Sequence, residues 1–395
     1  MKSDSSSRSG LLLMEIILAI LFFSLISALC LQVFVKAHTL SQDTRKLDAA
    51  VRQADSVASD LFILAGRPAS MRINNKIVQT DETRLLPDDT RQIITEIYGL
   101  TKGRSMDQLL ETGDDDFSFA IPGMSRFRIS AYKQRGSLSA VIRIITFSLP
   151  DPAALGIPEN VMALDRFSKG LVLVTGSAGS GKSTTLACMI DDINRNFEKH
   201  IVTLEDPLEF LHQHKKSIIS QREINVDTES YVSALRAVLR QSPDVILLGE
   251  MRDYETIQIA MTAAETGHLI FSTLHTIGSA NTIDRIIDVF PPSQQRQIAV
   301  QLSMVLQAVV SQHLVPTVHG TLVPAFEIMT VTPAIRNMIR DNKIPQIDGI
   351  IYSSSGQDMI SMDSSLANLY KEGTITRETA LTYASNPDML SRKLR

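Results

Sequence analysis

A glycine-rich segment near the middle of the chain has the residue types and spacing of a phosphate-binding loop. It follows an apolar stretch, residues 171–175, and opens a segment with helical spacing. Glycines let the backbone pass close to phosphate oxygens, and the free N–H groups of a helix amino terminus point at them. Lys182 would contact the β- and γ-phosphates, and the Ser183 hydroxyl would bind Mg²⁺. The predicted residues that bind ATP and Mg²⁺ are Gly176, Ser177, Ala178, Gly179, Ser180, Gly181, Lys182, Ser183 and Thr184.

Two acidic residues follow other apolar segments and could complete a site for hydrolysis. Residues 243–250 end in Glu250, and Glu205 comes directly after residues 200–204. The carboxyl ends of parallel strands meet at one edge of a sheet, where the phosphate loop also lies. We therefore expect Glu250, together with Ser183, to hold the metal and its water, and Glu205 to act as the general base. The alternative is that Glu205 belongs to an acidic, solvated turn.

Two histidines, His268 and His275, flank the apolar residues 269–273. Either imidazole could sense the γ-phosphate or carry a proton near neutral pH. Taken singly, each is more often a structural residue, and their spacing offers no set of metal ligands.

The composition excludes several classes of protein. The 395 residues carry a net charge of −4, so the basic excess of a nucleic-acid-binding protein is missing. Cys30 and Cys188 are too few for a disulfide framework or a four-cysteine zinc site.

The order of predicted elements divides the chain into three parts. These are a leader with a hydrophobic helix (1–43), a small α+β domain (44–149) and an α/β domain (150–395). Apolar strands that alternate with helices in the third part predict a mainly parallel sheet covered on both faces. Beyond residue 279 the pattern predicts mostly helices. The predicted strands are residues 60–64, a pair within 71–79, then 117–121, 126–132, 139–145, 171–175, 200–204, 245–249 and 269–273; the predicted helices are residues 47–57, 87–98, 230–240, 257–265 and one from residue 181.

The amino-terminal segment has the pattern of a membrane helix. Residues 11–35 are apolar except for Glu15 and three uncharged polar residues, and a helix of about 25 residues spans a bilayer core. A lone carboxylate near the end of such a helix is costly without a partner. With Gly10 five places before Glu15, the segment resembles the type IV prepilin leader, although Leu11 stands where that leader usually has phenylalanine. The alternative is a plain signal anchor.

Three further motifs follow the phosphate loop in the order of one ATPase family. Residues 203–210, Thr-Leu-Glu-Asp-Pro-Leu-Glu-Phe, resemble the Asp box of secretion and twitching ATPases. Residues 248–253, Leu-Gly-Glu-Met-Arg-Asp, resemble their Walker B strand, and residues 263–275 resemble their His box. The resemblance covers the chain from about Leu47 to its carboxyl end. It implies a homo-hexameric ATPase in which ATP lies between a small, PAS-like domain and a RecA-like P-loop core.

The same resemblance implies roles for individual residues. Glu205 would be the general base and Glu250 the Walker B carboxylate. His268 and His275 would lie near the γ-phosphate or stabilise the subunit contact. Arginines on small-domain strands would stabilise transition-state charge once the site closes. The candidates are Arg126, Arg128 and Arg143. Each could instead be an ordinary strand residue whose guanidinium group is solvated.

Residues 334–341, Ala-Ile-Arg-Asn-Met-Ile-Arg-Asp, resemble the AIRNLIRE signature of pilus retraction motors, with Met338 for leucine and Asp341 for glutamate. At helical spacing, Ile335, Met338 and Ile339 form an apolar stripe, which an ordinary amphipathic helix would share. The resemblance implies retraction of type IV pili, as in twitching motility, against an inner-membrane platform protein.

Other functions stay open at this point. Pilus-assembly and type II secretion ATPases share the core motifs, but they carry a longer amino-terminal region and commonly a four-cysteine zinc element, which this sequence does not show. A pilin-like membrane subunit fused to an ATPase domain would explain residues 11–35. A DNA-translocating motor is disfavoured by the near-neutral charge.

The two ends of the chain imply different topologies. Prepilin-type insertion would place everything after residue 35 outside the cytoplasm, where ATP is scarce. Cations flank residues 11–35 on both sides, so charge bias does not decide the orientation. Three explanations would remove this conflict. The segment could insert in the reverse orientation, the motor could be tethered to the membrane, or the amino-terminal segment could be wrongly joined to a gene that starts near Leu47. The last explanation is favoured. We expect the motor at the cytoplasmic face of the inner membrane, bound peripherally or through residues 11–35.

Overall fold

The computed structural model describes residues 58–73, 76–79, 82–101, 103–121, 125–145, 149–354 and 358–394. The predicted hydrophobic helix at 11–35 and the predicted helix at 47–57 lie outside these residues. Within them, no helix combines the length and the apolar character needed to cross a bilayer. The chain divides into two compact units between residues 148 and 149, one residue before the predicted end of the small domain.

Among its described residues, the first unit is a six-stranded antiparallel sheet with two helices. Its elements are β1 (Ala58–Ile63), β2 (Ser70–Ile73), β3 (Lys76–Gln79), α1 (Pro87–Leu100), α2 (Asp107–Thr112), β4 (Asp114–Ile121), β5 (Ser125–Gln134) and β6 (Ser137–Ile145). The strand order is β3-β2-β1-β6-β5-β4. Along β5, Phe127, Ile129 and Ala131 are buried in one apolar cluster with residues of α1, because alternate residues of a strand face the same side. The predicted strand pair within 71–79 is confirmed as β2 and β3.

The second unit is built on a seven-stranded sheet. Its strands are β7 (Gly170–Thr175), β8 (His200–Glu205), β9 (Ile218–Glu223), β10 (Val245–Leu248), β11 (Leu269–Leu274), β12 (Leu306–Pro316) and β13 (Leu322–Thr330). They are ordered β13-β12-β7-β11-β10-β8-β9, and only β12 and β13 pair antiparallel. All six residues of β7 are buried, since helices cover both faces of such a sheet. The predicted mainly parallel sheet is confirmed.

Helices connect these strands and continue to the carboxyl end. They are α3 (Glu159–Met162), α4 (Lys182–Asn196), α5 (Tyr231–Val238), α6 (Tyr254–Glu265), α7 (Ser279–Asp288), α8 (Pro292–Val305), α9 (Pro333–Arg340), α10 (Ile347–Ser353), α11 (Met362–Lys371), α12 (Arg377–Thr382) and α13 (Pro387–Lys393). Short 3₁₀ turns follow α3 and precede α10. The predicted helices at 87–98, 181 onward, 230–240 and 257–265 correspond to α1, α4, α5 and α6.

The prediction of mostly helical structure beyond residue 279 is wrong for β12 and β13. Helix α8 ends at Val305 and β12 begins at Leu306, so no glycine or polar turn marks the change. The run Ala308, Val309 and Val310 does not alternate, because both of its faces are buried. Such a short apolar run cannot be distinguished from a buried helix by its period alone.

The sheet order explains why one edge gathers the predicted site. Strands β7, β8, β10 and β11 are parallel, so the segments after them leave the same edge. These segments carry the phosphate loop after β7, Glu205 at the end of β8, Glu250 after β10 and His275 after β11. Parallel sheets bind ligands at this carboxyl edge.

Candidate active site

The phosphate loop connects β7 to α4. Gly181 precedes the helix with φ +90°, and Gly176 has φ +142°. A side chain at Gly176 would bring its Cβ to 2.3 Å from the Gln312 backbone oxygen, so only glycine fits there. The Lys182 ammonium donates to the backbone oxygens of Gly176 at 2.9 Å and of Ser177 at 2.8 Å. Burial lowers the pKa of Lys182.

Glu205 is the last residue of β8 and is half-buried at the carboxyl edge. Burial is the main cause that raises the pKa of its carboxyl to about 7. The Thr203 side chain and the Gln221 amide, whose Nε2 donates to Glu205 Oε1 at 3.5 Å, oppose that shift, and the nearby Glu209 carboxylate adds to it. A carboxyl with a pKa near the working pH is suited to general-base catalysis. The role of Glu205 as the general base stays a prediction.

Glu250 follows β10 by two residues and lies between two cationic or titratable side chains. The Arg252 guanidinium forms an ion pair with it, and Arg252 Nη2 donates to Glu250 Oε2 at 2.8 Å. His275 Nε2 lies 3.6 Å from the same oxygen. The backbone just before Glu250 is held by the Thr273 hydroxyl, which donates to the Gly249 backbone oxygen at 2.6 Å.

A cavity of about 420 Å³ opens beside this group. Its lining residues are Glu250, Met251, Arg252, Leu274, His275, Thr276, Arg285 and Val289. Partial burial, then the charges of Lys182 and Arg252, lower the pKa of His275. The imidazole is therefore neutral at pH 7, and its contact with Glu250 is not an ion pair.

The structure does not place His268 with this group. His268 precedes β11 and its Nδ1 lies 2.9 Å from the Ala263 backbone oxygen, whereas His275 follows β11. The six residues of the strand separate the two imidazoles by roughly 20 Å. His268 therefore lies at the opposite end of β11 from His275, and its role near the γ-phosphate or at a subunit contact stays a prediction.

The three candidate arginines lie on the sheet of the first unit. Arg126 and Arg128 are on β5, where Arg128 faces Arg143 of β6 across the register. Arg143 donates to the buried Asp60 carboxylate at 2.9 Å, and Arg126 donates to the Ser118 hydroxyl at 2.9 Å. Their role toward a phosphate stays a prediction.

The helix with the retraction-type signature is α9. Ile335 and Ile339 are fully buried and Met338 packs beside them, as the predicted stripe requires. The helical pattern indicates only a solvated side chain for Arg336. In the structure its Nη1 donates to the backbone oxygens of Ser303 and Met304 at 2.7 and 2.8 Å. These carbonyls end α8, and a cation there satisfies and stabilises them. The exposed Asn337 and Arg340 side chains are hydrogen-bonded to each other.

Sequence reasoning missed several residues of the site. Arg252 is inside the Walker B motif, and its spacing of two from Glu250 could have indicated the ion pair. The Tyr231 hydroxyl lies against Gly249, where an added Cβ would come within 2.8 Å of it, and no sequence signal marks that contact. Gln312 lies beneath the phosphate loop. It was overlooked because its strand, β12, was not predicted.

The residues present fit Mg²⁺ and a nucleotide. Ser183 offers a hydroxyl in the first turn of α4, and Glu250 offers a carboxylate at the same sheet edge; oxygen ligands of this kind suit Mg²⁺. The Ser180 hydroxyl is buried in the loop and has no hydrogen-bond partner among the described residues. A phosphate oxygen would supply the acceptor that it lacks.

A glycine-rich loop between a buried parallel strand and a helix, with two acidic residues at the same sheet edge, defines a P-loop ATPase. Comparisons with known proteins agree. The family described as "Type II/IV secretion system protein" matches residues 68–352. The chain is 43% identical over 331 residues to the type IV pilus retraction ATPase PilT of Pseudomonas aeruginosa, covering 84% of this chain and 95% of that protein.

Two further proteins give the same result. A twitching motility protein of Neisseria gonorrhoeae is 42% identical over 322 residues, which are 81% of this chain and 85% of that protein. A crystal structure of the pilus retraction motor PilT with bound ADP superimposes with a TM-score of 0.79 and 44% identity, covering 87% of this chain and 98% of that chain. The chain belongs to the type II/IV secretion family and, within it, to the pilus retraction ATPases. The predicted family and ATP hydrolysis are thereby confirmed.

Proposed function

We propose that this chain hydrolyses ATP with Mg²⁺ at the carboxyl edge of the second-unit sheet and drives type IV pilus retraction as a homo-hexameric ring. The observation that carries the proposal is the gathering of Lys182, Glu205, Glu250 and His275 at one edge, in a chain that matches a retraction ATPase over most of its length. The seven-stranded sheet supports a RecA-like core. The antiparallel sheet with α1 supports a PAS-like small domain.

Each residue of the site has a distinct part in hydrolysis. Lys182 leaves the loop carbonyls and contacts the β- and γ-phosphates of ATP. Ser183 and Glu250 hold Mg²⁺, which neutralises charge on the phosphates when bound. Glu205 accepts a proton from the attacking water, which requires the carboxylate form. Neutral His275, beside Glu250, senses the γ-phosphate by hydrogen bonding.

The ring supplies what one subunit lacks. Arg126, Arg128 and Arg143 are the proposed cations that reach the phosphate when a site closes, and His268 is proposed at a subunit contact. Closure of successive sites would rotate the ring against an inner-membrane platform protein at the cytoplasmic face. Residues 11–35 would add a membrane anchor if they are retained in the mature protein.

Light scattering of the purified chain with ADP should give the mass of six subunits.

We expect kcat/KM for ATP hydrolysis to rise about tenfold between pH 6 and pH 8. Because the pKa of Glu205 is raised to about 7, roughly a tenth of these carboxyls are ionised at pH 6 and roughly nine tenths at pH 8. The profile should bend near pH 7. The affinity for ADP, measured over the same range, should change little and thus separates binding from proton transfer. A flat profile would remove Glu205 as the titrating base.

Deletion of the gene separates retraction from assembly. Without a retraction motor, pili should be present on the surface and fail to shorten in time-lapse fluorescence, and reintroduced wild-type protein should restore shortening. A deletion strain without surface pili would assign the chain to pilus assembly. A strain whose pili shorten normally but whose protein secretion fails would assign it to secretion.

A further inference from the structure

A glutamine of the missed strand β12 lies directly beneath the phosphate loop. In the parallel register of β12 and β7, Ser311 pairs with Thr175, the last residue of β7. Gln312 is therefore the strand residue next to the first glycine of the loop. Its relative exposure is only 3%, so its polar groups need partners inside the protein.

Gln312 approaches the phosphate loop at two glycines and contacts the helix that follows the loop. Its Oε1 accepts a hydrogen bond of 2.8 Å from the Thr185 hydroxyl in the first turn of α4. Its backbone oxygen closely approaches Gly176, as described above. Its Nε2 lies 2.8 Å from the place that a Cβ on Gly181 would occupy. One residue thus touches the first glycine of the loop, the last glycine, and the helix that follows.

This placement matters because the loop binds phosphate through backbone geometry. The N–H groups at the amino terminus of α4 must point at the phosphate oxygens. Gly176 and Gly181 both have positive φ, so the loop has few backbone constraints of its own. A buried hydrogen bond from outside the loop supplies one.

We propose that Gln312 is a positioning residue that fixes the amino terminus of α4 against the phosphate loop through Thr185 and thereby sets the affinity for the nucleotide. The inference rests on the proposed nucleotide site and deepens it. Gln312 does not touch the reacting atoms. Its loss should raise the KM for ATP more than it lowers kcat.

The test compares Gln312→Leu, Thr185→Val and the double variant by calorimetric titration with ADP in the presence of Mg²⁺. Loss of a buried hydrogen bond that leaves its partner group unpaired changes an equilibrium constant by about tenfold. Each single variant should therefore bind ADP about tenfold more weakly. The double variant should be no weaker than Gln312→Leu alone, since both changes remove the same bond. Thr185→Ser, which keeps the hydroxyl, should bind ADP within about twofold of the unmodified protein.

Gln307 provides a matched control on the same strand. Its side chain packs under Gly170 at the start of β7, another positive-φ glycine, and its Nε2 donates to the Lys169 backbone oxygen at 3.3 Å. It lies at the opposite edge of the sheet from the phosphate loop. Gln307→Leu should therefore lower the melting temperature as Gln312→Leu does and leave the ADP affinity unchanged.

Two results would overturn the proposal. One is an unchanged ADP affinity in Gln312→Leu despite a lowered melting temperature, which would make the residue merely structural. The other, decisive if Gln312→Leu does not fold, is an unchanged affinity in Thr185→Val. If the unmodified protein itself fails to bind ADP, the nucleotide site is wrong, and that outcome is distinct from the failure of Gln312 alone.

Discussion

Lys182→Ala should lower the rate of ATP hydrolysis by about a thousandfold. Lys182 is only 8% exposed, and its ammonium is already held at the phosphate loop by two backbone oxygens. Removal of one charged donor from a pre-organised site of this kind costs about two to three orders of magnitude in kcat. ADP binding should weaken as well, because the same charge contacts the bound phosphates. Steady-state phosphate release and calorimetry measure the two effects separately.

Lys199 is the control for this substitution. It lies just before β8, at the amino edge of the sheet, and pairs with Asp244 at 3.5 Å on the surface. Lys199→Ala should keep normal hydrolysis, since an exposed pair of this kind contributes little. Hydrolysis by Lys182→Ala within tenfold of the unmodified rate would contradict the assignment of the phosphate loop.

Glu205→Gln should separate binding from turnover. Glutamine has nearly the same shape as the acid but cannot accept a proton from water. Loss of a positioned general base lowers kcat by about two to four orders of magnitude. The ADP affinity should stay within about threefold of the unmodified value, because no phosphate contact is removed.

Glu198→Gln tests whether the effect is specific. Glu198 is an exposed carboxylate that precedes β8 at the opposite edge of the sheet, and its amide variant should turn over ATP normally. Normal turnover by Glu205→Gln would show that another group activates the water. Loss of ADP binding in Glu205→Gln would show instead that the side chain supports the nucleotide site rather than the proton transfer.

The sequence predicts the catalytic edge well because it is built from local signals. The strands β7, β8, β10 and β11 are buried on both faces and therefore appear as apolar runs, and each is followed by a residue with a chemical function. The phosphate loop adds glycines whose positive φ angles residues with a side chain rarely adopt. These features depend on neighbours in the chain, so a single sequence reveals them.

Features that depend on pairing between distant residues are not visible in the same way. Gln312 meets Thr185 across 127 positions of sequence, and its strand was not predicted. His268 and His275 belong to one motif, yet β11 holds them at opposite edges of the sheet. Arg336 has the pattern of a solvated residue on an amphipathic helix, and only the packing of α9 on α8 shows that it binds the last carbonyls of α8.

The most direct test of this account is the length of individual pili over time in cells whose only copy of this protein carries Glu205→Gln. With hydrolysis lost and folding intact, labelled pili should grow to normal numbers and not shorten, while cells with Glu198→Gln should retract them at the wild-type rate. Normal shortening in the Glu205→Gln cells would contradict the claim that ATP hydrolysis at this site drives retraction.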